Sequence, residues 1–303
     1  MLNDYYRLVQ LGYTNDSHRG PGAVVKNLLK GLDELGVKVG TGYHLGALQG
    51  CLQAPSTLQT HYGPVFGKGA VAGPNLFVVP NESDYAKEIC KAFTNFVVPS
   101  EWVKNLYLGF DEMKDKNIEV WPVGIDTEEW KPKENETKSL DCFIYYKNRT
   151  QQDLAVAYKL CKYYDLKFEI IEYGSYTEDQ LKSLCERSKF AILLTGTESQ
   201  GIAYMNILSM NVPCFVFDKQ TWTHDTDKSI NCPATSVPYF DKRCGEIAKD
   251  INMSLFEEFM HSVRKNHYKP REFILENYTL KQCADNYFSI LTEADHRSDS
   301  ENE

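Results

Sequence analysis

Residues 190–218 read FAILLTGTESQGIAYMNILSMNVPCFVFD, and the order of residue types in this stretch sets the fold class. Segments 190–195 and 214–217 are uninterrupted apolar runs of strand length, the pattern of parallel strands covered on both faces. Between them, 202–210 has room for one short helix, closed by an Asn-Val-Pro turn at 211–213. The unit is therefore βαβ. Ligands of such sheets lie beyond the carboxyl ends of the strands, which places any chemistry at 196–201. A helix N-terminus carries unpaired N–H groups and roughly half a positive charge. The amides of Ser199, Gln200, Gly201, Ile202 and Ala203 are thus candidates to receive a phosphate. Glu198, just before them, is placed to hold sugar hydroxyls. In an isolated unit Gly201 and Glu198 read first as a turn residue and a helix-dipole complement; the rest of the chain changes that balance.

The 303 residues suit two domains of ordinary size with a sizeable core. No apolar run reaches the roughly 18 residues a bilayer span requires. The start, MLNDYYRLVQLGY, has neither the basic head nor the apolar centre of a signal peptide, so a cytoplasmic location is expected. Nine cysteines, scattered singly with no C-x-x-C pair, point to reduced thiols rather than a disulfide framework or a zinc site. The sequons at 135–137 and 277–279 are then fortuitous. A net charge of −9 argues against a general nucleic-acid surface. Residues 1–130 hold 11 Lys and Arg against 15 Asp and Glu, which disfavours docking on a membrane-lipid acceptor.

Along the first half, strands are expected at 7–11, 37–39, 76–79, 96–98 and 118–121. Helices fall between them: 23–35, with Val24, Leu28, Leu32 and Leu35 on one face, then 83–92 and 100–108. Ser100 is a favourable N-cap. The alternation predicts a parallel, doubly wound sheet. Residues 126–140, DTEEWKPKENETKSL, are charged and without apolar period, the best linker candidate. The second half restarts with strands at 142–146 and 167–171 and helices at 154–164 and 177–188, followed by the βαβ unit. Helical stretches at 255–265 and 280–291 are free to pack on either domain. The expected partition is an N-terminal Rossmann-like domain at 1–130, a C-terminal one at 131–272, a closing helix at 273–292 able to pack back on the first domain, and a disordered tail at 293–303.

Two such domains leave a cleft in which a nucleotide and its substrate commonly meet. Here the residues resemble a known family. FVVPSEWVKNLYL (96–108) and IEVWPVGIDTEEWKP (118–132) look like the end of the N-terminal domain of retaining glycosyltransferases of family 4, which have the GT-B fold. GSYTEDQLKSLCERSKFAILLTGTESQGIAYMNILSMNVPCFVFD (174–218) resembles that family's donor segment, and FILENYTLKQCADNYFSIL (273–291) its closing helix. The resemblance implies transfer of a sugar from a nucleotide diphosphate sugar to an acceptor hydroxyl with retention of configuration. No metal or other cofactor is implied, and the setting is glycan biosynthesis. The acceptor would be a glycan, a protein-linked sugar or a small molecule, with no nucleic acid and no integral membrane segment involved.

Charge on the leaving diphosphate then falls to cationic side chains and a helix N-terminus. The resemblance assigns the cationic pair to Lys147 and Arg149, two apart where the family spaces them by five; in an extended segment the two point to one side. The family carries two acidic residues eight apart, the first toward the donor sugar and the second toward the nucleotide ribose. Glu198 holds the first position, whereas Asn206 replaces the second and lacks a carboxylate for both ribose hydroxyls, a difference of about 1–2 kcal/mol. Gly20 and Gly22 stand where the family has a glycine loop. His61 is the preferred sugar-facing histidine, with His18 and His44 as competitors. Three rivals stay open. HDTDK at 224–228 contains the Asp-x-Asp of metal-dependent GT-A enzymes, a nucleotide-sugar epimerase shares the two-domain architecture, and a nucleotide-sugar-binding scaffold could have lost catalysis through Asn206.

Overall fold

The computed structural model describes residues 8–12, 20–40, 47–53, 69–133 and 137–300. The chain falls into two units, Met1–Gly124 together with Leu280–Glu303, and Ile125–Thr279.

The first unit runs β1 (Leu8–Gly12), α1 (Gly20–Glu34), β2 (Lys38–Gly40), β3 (Leu48–Gln53), β4 (Val71–Asn75), α2 (Asp84–Ala92), β5 (Asn95–Val98), α3 (Glu101–Tyr107) and β6 (Asn117–Val120). Its six strands lie in the order β2-β1-β3-β4-β5-β6, every pairing parallel. The strand expected at 76–79 is a loop, and the strand itself is β4, whose Gly73-Pro74 reads in sequence as a turn. Gly73 has φ +113°, and a Cβ there would run into the Val97 carbonyl, so glycine is what lets β4 lie against β5. Helix α1 begins at Gly20, so Gly20 and Gly22 occupy its first turn rather than the connection before it. Ser83 caps α2 by accepting the Ala86 amide at 3.1 Å. Ser100 stands at the N-cap of α3, but its hydroxyl makes no capping bond.

The second unit comprises β7 (Leu140–Lys147), α4 (Gln151–Tyr163), β8 (Phe168–Glu172), α5 (Glu178–Arg187), β9 (Ser188–Thr195), α6 (Ile202–Ser209), β10 (Cys214–Phe217), the hairpin β11 (Thr221–Thr223) and β12 (Asn231–Pro233), β13 (Gly245–Ala248), α7 (Met253–Arg264) and α8 (Pro270–Asn277). Its main sheet is parallel throughout in the order β13-β10-β9-β7-β8. Strand β7 alternates between two cores. Phe143 and Tyr145 point to the face covered by Leu181, Leu184 and Met205, whereas Cys142, Ile144 and Tyr146 point to the face covered by Leu160, Phe256 and Phe259. On that second face Phe190 and Phe215 each pack edge to face or tilted against Phe256 and Phe259, with centroids 4.9–6.1 Å apart. Each such side chain contributes about 1.5–3 kcal/mol by leaving water.

Two expectations about connections change. Residues 126–133 are packed rather than free: Trp130 is buried, its carbonyl accepts from Ser209 Oγ at 2.6 Å and Arg271 at 3.0 Å, and Lys182 sits 4.8 Å above its ring. The charged composition hid this anchor, since one tryptophan outweighs its solvated neighbours. The last helix, α9 (Leu280–Ser300), continues through residues expected to be a disordered tail. Leu280, Ala284, Tyr287, Leu291 and Ala294 form one buried stripe, the reason the helix outlasts residue 291. It packs on α1, where Gly31 lets the backbones of the two helices approach, and Trp121 Nε1 donates to the Cys283 carbonyl at 2.8 Å. All nine cysteines are free thiols, eight of them buried. Among the described residues no helix is long and apolar enough to cross a membrane.

Candidate functional site

The chain leaves β7 toward β8 on one side of the sheet, then returns to the other side of β7 with β9. The carboxyl ends of β7 and β9 therefore form the topological switch point of the second unit, where open α/β sheets bind ligands. Lys147, the last residue of β7, pairs in register with Thr195, the last of β9, and the Gly196 amide extends the ladder to the Lys147 carbonyl at 2.8 Å. The loop then turns through Glu198, whose own amide donates to the Thr235 carbonyl at 2.9 Å. Thr235 and Ser236 are held by Asp218, which accepts from Thr235 Oγ1 at 2.8 Å and from the Ser236 amide at 2.7 Å. Three strand ends and the 235–236 loop are thus one hydrogen-bonded assembly.

Within it the Lys147 ammonium meets both oxygens of Glu198, at 2.8 and 2.9 Å, with the two side chains 18% and 12% exposed. The Tyr173 ring lies 4.5 Å from the same nitrogen, so the cation is held between a carboxylate and an aromatic face. An ammonium has three hydrogens, which leaves one for a further acceptor. Burial raises the Glu198 pKa above its ordinary value, and the Lys147 charge and hydrogen bond pull it back in part.

Helix α6 starts immediately after. Gly201 is its N-cap at φ +78°, a left-handed backbone that turns the chain from the Glu198 loop into the helix. The first-turn amides, beginning at Ile202 and Ala203, have no carbonyl a turn earlier to receive them, and they open at the same strand ends as Lys147. Ser199 is exposed beside them, Gln200 is buried, and Asn206 lies buried in the second turn of α6.

The structure does not bring Arg149 alongside Lys147. Asn148, with φ 53°, breaks the extended segment on which a shared side depended. The Arg149 guanidinium instead donates to the carbonyls of Thr195 at 3.2 Å and Phe217 at 3.1 Å and to Asp153 at 3.1 Å, fastening the ends of β9 and β10 to α4. Asp153 also completes a capping box with Thr150. Gly20 and Gly22 belong to the first unit. His61, like His18 and His44, lies outside the described residues. The HDTDK segment follows β11 in an exposed hairpin connection, where Asp227 is occupied by the amide and hydroxyl of Ser229 at 3.0 and 2.6 Å. Sequence reading missed Tyr173, Asp218, Thr235 and Asp153; Tyr173 and Asp218 were detectable as the residues directly following the strand ends of β8 and β10.

No protein-family model matches the sequence, and no curated protein matches it. Solved structures do. The catalytic domain of starch synthase IV from Arabidopsis thaliana, bound to ADP and acarbose, superimposes with a TM-score of 0.58 over 95% of this chain and 98% of its own at 10% identity. The lipopolysaccharide outer core galactosyltransferase WaaB gives 0.55 over 94% and 99%, also at 10% identity. TarM gives 0.55 at 15% identity over 88% of this chain but only 58% of its own, so this chain spans little more than half of that protein. Likenesses at these identities establish the fold. The chain has the two-domain α/β architecture of GT-B glycosyltransferases, the fold class expected from its sequence.

Proposed function

We propose that this chain is a retaining glycosyltransferase of the family 4 type, moving a sugar from a nucleotide diphosphate sugar to an acceptor hydroxyl without a required metal. The observation that carries the reading is the Lys147–Glu198 pair beside the N-terminus of α6, at the switch point of the second sheet. A diphosphate set there meets the spare hydrogen of Lys147 and the first-turn amides of α6, which neutralise charge as the leaving group departs. Glu198, fixed by Lys147, faces the sugar hydroxyls. In the transfer the bond from the anomeric carbon to the phosphate oxygen breaks and a bond to the acceptor oxygen forms on the same face. The acceptor proton passes to the departing phosphate, so no side chain need act as base.

Arg149 supports this by holding the strand ends rather than by touching phosphate, and Asn206 leaves the ribose with neutral rather than charge-assisted contacts. The acceptor is a glycan, a protein-linked sugar or a small molecule, and the setting is cytoplasmic glycan biosynthesis. Saturation-transfer NMR against a panel of nucleotide sugars, with slow donor hydrolysis followed with and without EDTA, tests the reading. One donor should bind and turn over in EDTA, and Glu198→Ala should abolish the turnover. Absence of binding across the panel would sink the transferase reading and favour a scaffold that has lost its donor site.

A further inference from the structure

The opposite pole of the second sheet, at the amino ends of β9 and β10, holds a recess of about 470 Å3. Its described lining includes four cations, Lys133, Lys138, Lys189 and Arg264, against one carboxylate, Glu186, with a second carboxylate, Asp141, beside it and within electrostatic reach of Lys189 and Arg264. In a chain whose net charge is −9, such a concentration is local and specific. Lys133 is paired with Glu186 at 2.8 Å and Lys189 with Asp141 at 2.7 Å. Arg264 makes no ion pair among the described residues.

Basic residues at helix C-termini often serve only to cap carbonyls, and three helices, α5, α6 and α7, end at this recess. That role accounts for Lys138, which donates to the Cys185 carbonyl at 3.0 Å. It does not account for Arg264 and Lys189. The last turn of α6 is closed by the amides of Met210, Asn211 and Val212 and by Arg271, and that of α7 by the amides of Lys265, Asn266 and His267. Arg264 and Lys189 are therefore not needed to satisfy backbone there. The floor of the recess is apolar, formed by Met210, Pro213 and the buried Tyr268. Concavity of this volume, an apolar floor and a cationic rim are the features of a small-ligand pocket rather than of a flat charged face.

We propose that this recess is a second binding site, for a small phosphorylated organic anion, a phosphate monoester of sugar size. The phosphate would meet Arg264 as a planar fork, with Lys189 and Lys133 beside it, while the carbon skeleton covers Met210 and Pro213. The site is independent of the transfer reading, because it lies the length of β9, about 25 Å, from Lys147.

The test is an amide-resolved NMR titration of the full chain with glucose 6-phosphate, inorganic phosphate and unphosphorylated glucose. Glucose 6-phosphate should shift the Asn211, Lys189 and Tyr268 amides saturably, inorganic phosphate should shift them more weakly, and glucose should not shift them. Arg264→Glu should weaken glucose 6-phosphate by tenfold or more, Arg264→Lys by less, and added salt should weaken it in the wild type. Nucleotide-sugar binding should be unchanged in Arg264→Glu, an exposed position whose unaltered amide spectrum elsewhere verifies folding. No saturable shift at these amides in the wild type, an equal response to glucose, or undiminished binding by Arg264→Glu would each overturn the proposal.

Discussion

Replacing Gly201 by alanine tests whether the turn into α6 is what assembles the site. Two costs add. Gly201 has φ +78°, a conformation that charges an L-residue about 1–2 kcal/mol. A Cβ at this position would lie 2.7 Å from Tyr204 Cδ1 and 2.9 Å from Cζ, with Cε1 nearer still. The ring has nowhere to go: Tyr204 is 2% exposed, its hydroxyl accepts from the Tyr239 amide at 2.9 Å and donates to the Tyr239 carbonyl at 3.3 Å. Overpacking of this kind costs about 1–3 kcal/mol. Gly201→Ala should therefore lose about 2–5 kcal/mol, a large share of the stability of any domain. Urea unfolding read through 5-fluorotryptophan NMR isolates the relevant unit, because Trp130 is a buried reporter of the second one. In a Tyr204→Leu background the clash is relieved and only the backbone cost, about 1–2 kcal/mol, should remain. A loss below about 1 kcal/mol in the wild-type background, or an equal loss in both backgrounds, would refute this account of the turn.

Glu198 should titrate above the ordinary glutamate range because burial disfavours its charge, and Lys147→Met should raise it further by removing the ammonium that pulls it down; carbon-13 NMR of the carboxyl reads both. A pKa raised on folding means that the stability it contributes is fully present below the unfolded value and lost as pH rises through the folded one, so the stability of wild type relative to Glu198→Gln should fall with pH across that window. Asp153 is pushed up by burial, but the hydrogen bonds from Arg149 and Thr150 outweigh this and hold its pKa below the ordinary aspartate value. Its contribution is therefore present above the unfolded pKa and lost as pH falls through the lowered one; Asp153→Asn should cost about 1 kcal/mol at neutral pH and remove that acid-side dependence in urea titrations. Arg149→Ala leaves the Thr195 and Phe217 carbonyls without this donor and should cost about 2–4 kcal/mol in unfolding, with a smaller effect on donor affinity than Lys147→Met by calorimetry.

The two parallel sheets were legible because buried strands such as 214–217 announce themselves as unbroken apolar runs, and β10 has those bounds. The turn from β9 into α6 was legible too, since Glu198, Gly201 and the start of α6 sit within five residues of one another and local geometry places them. Strand β4 was not, because Gly73-Pro74 is locally a breaker and only the approach of Val97 explains the glycine. The anchoring of Trp130 was hidden for a similar reason: its partners, Lys182, Ser209 and Arg271, come from distant parts of the chain.

The sequence by itself determined the alternation of strand and helix, the two-domain class and the turn between β9 and α6, because those follow from periodicity and neighbouring residues. Only the tertiary structure decided what the charged groups do there. It paired Lys147 with Glu198, 51 residues apart. It turned Arg149 onto two strand-end carbonyls, and it gathered four cations at the far pole of the same sheet. Charge interacts through space with whatever the fold brings within a few ångströms, and that proximity is set by strand order, which no local pattern encodes.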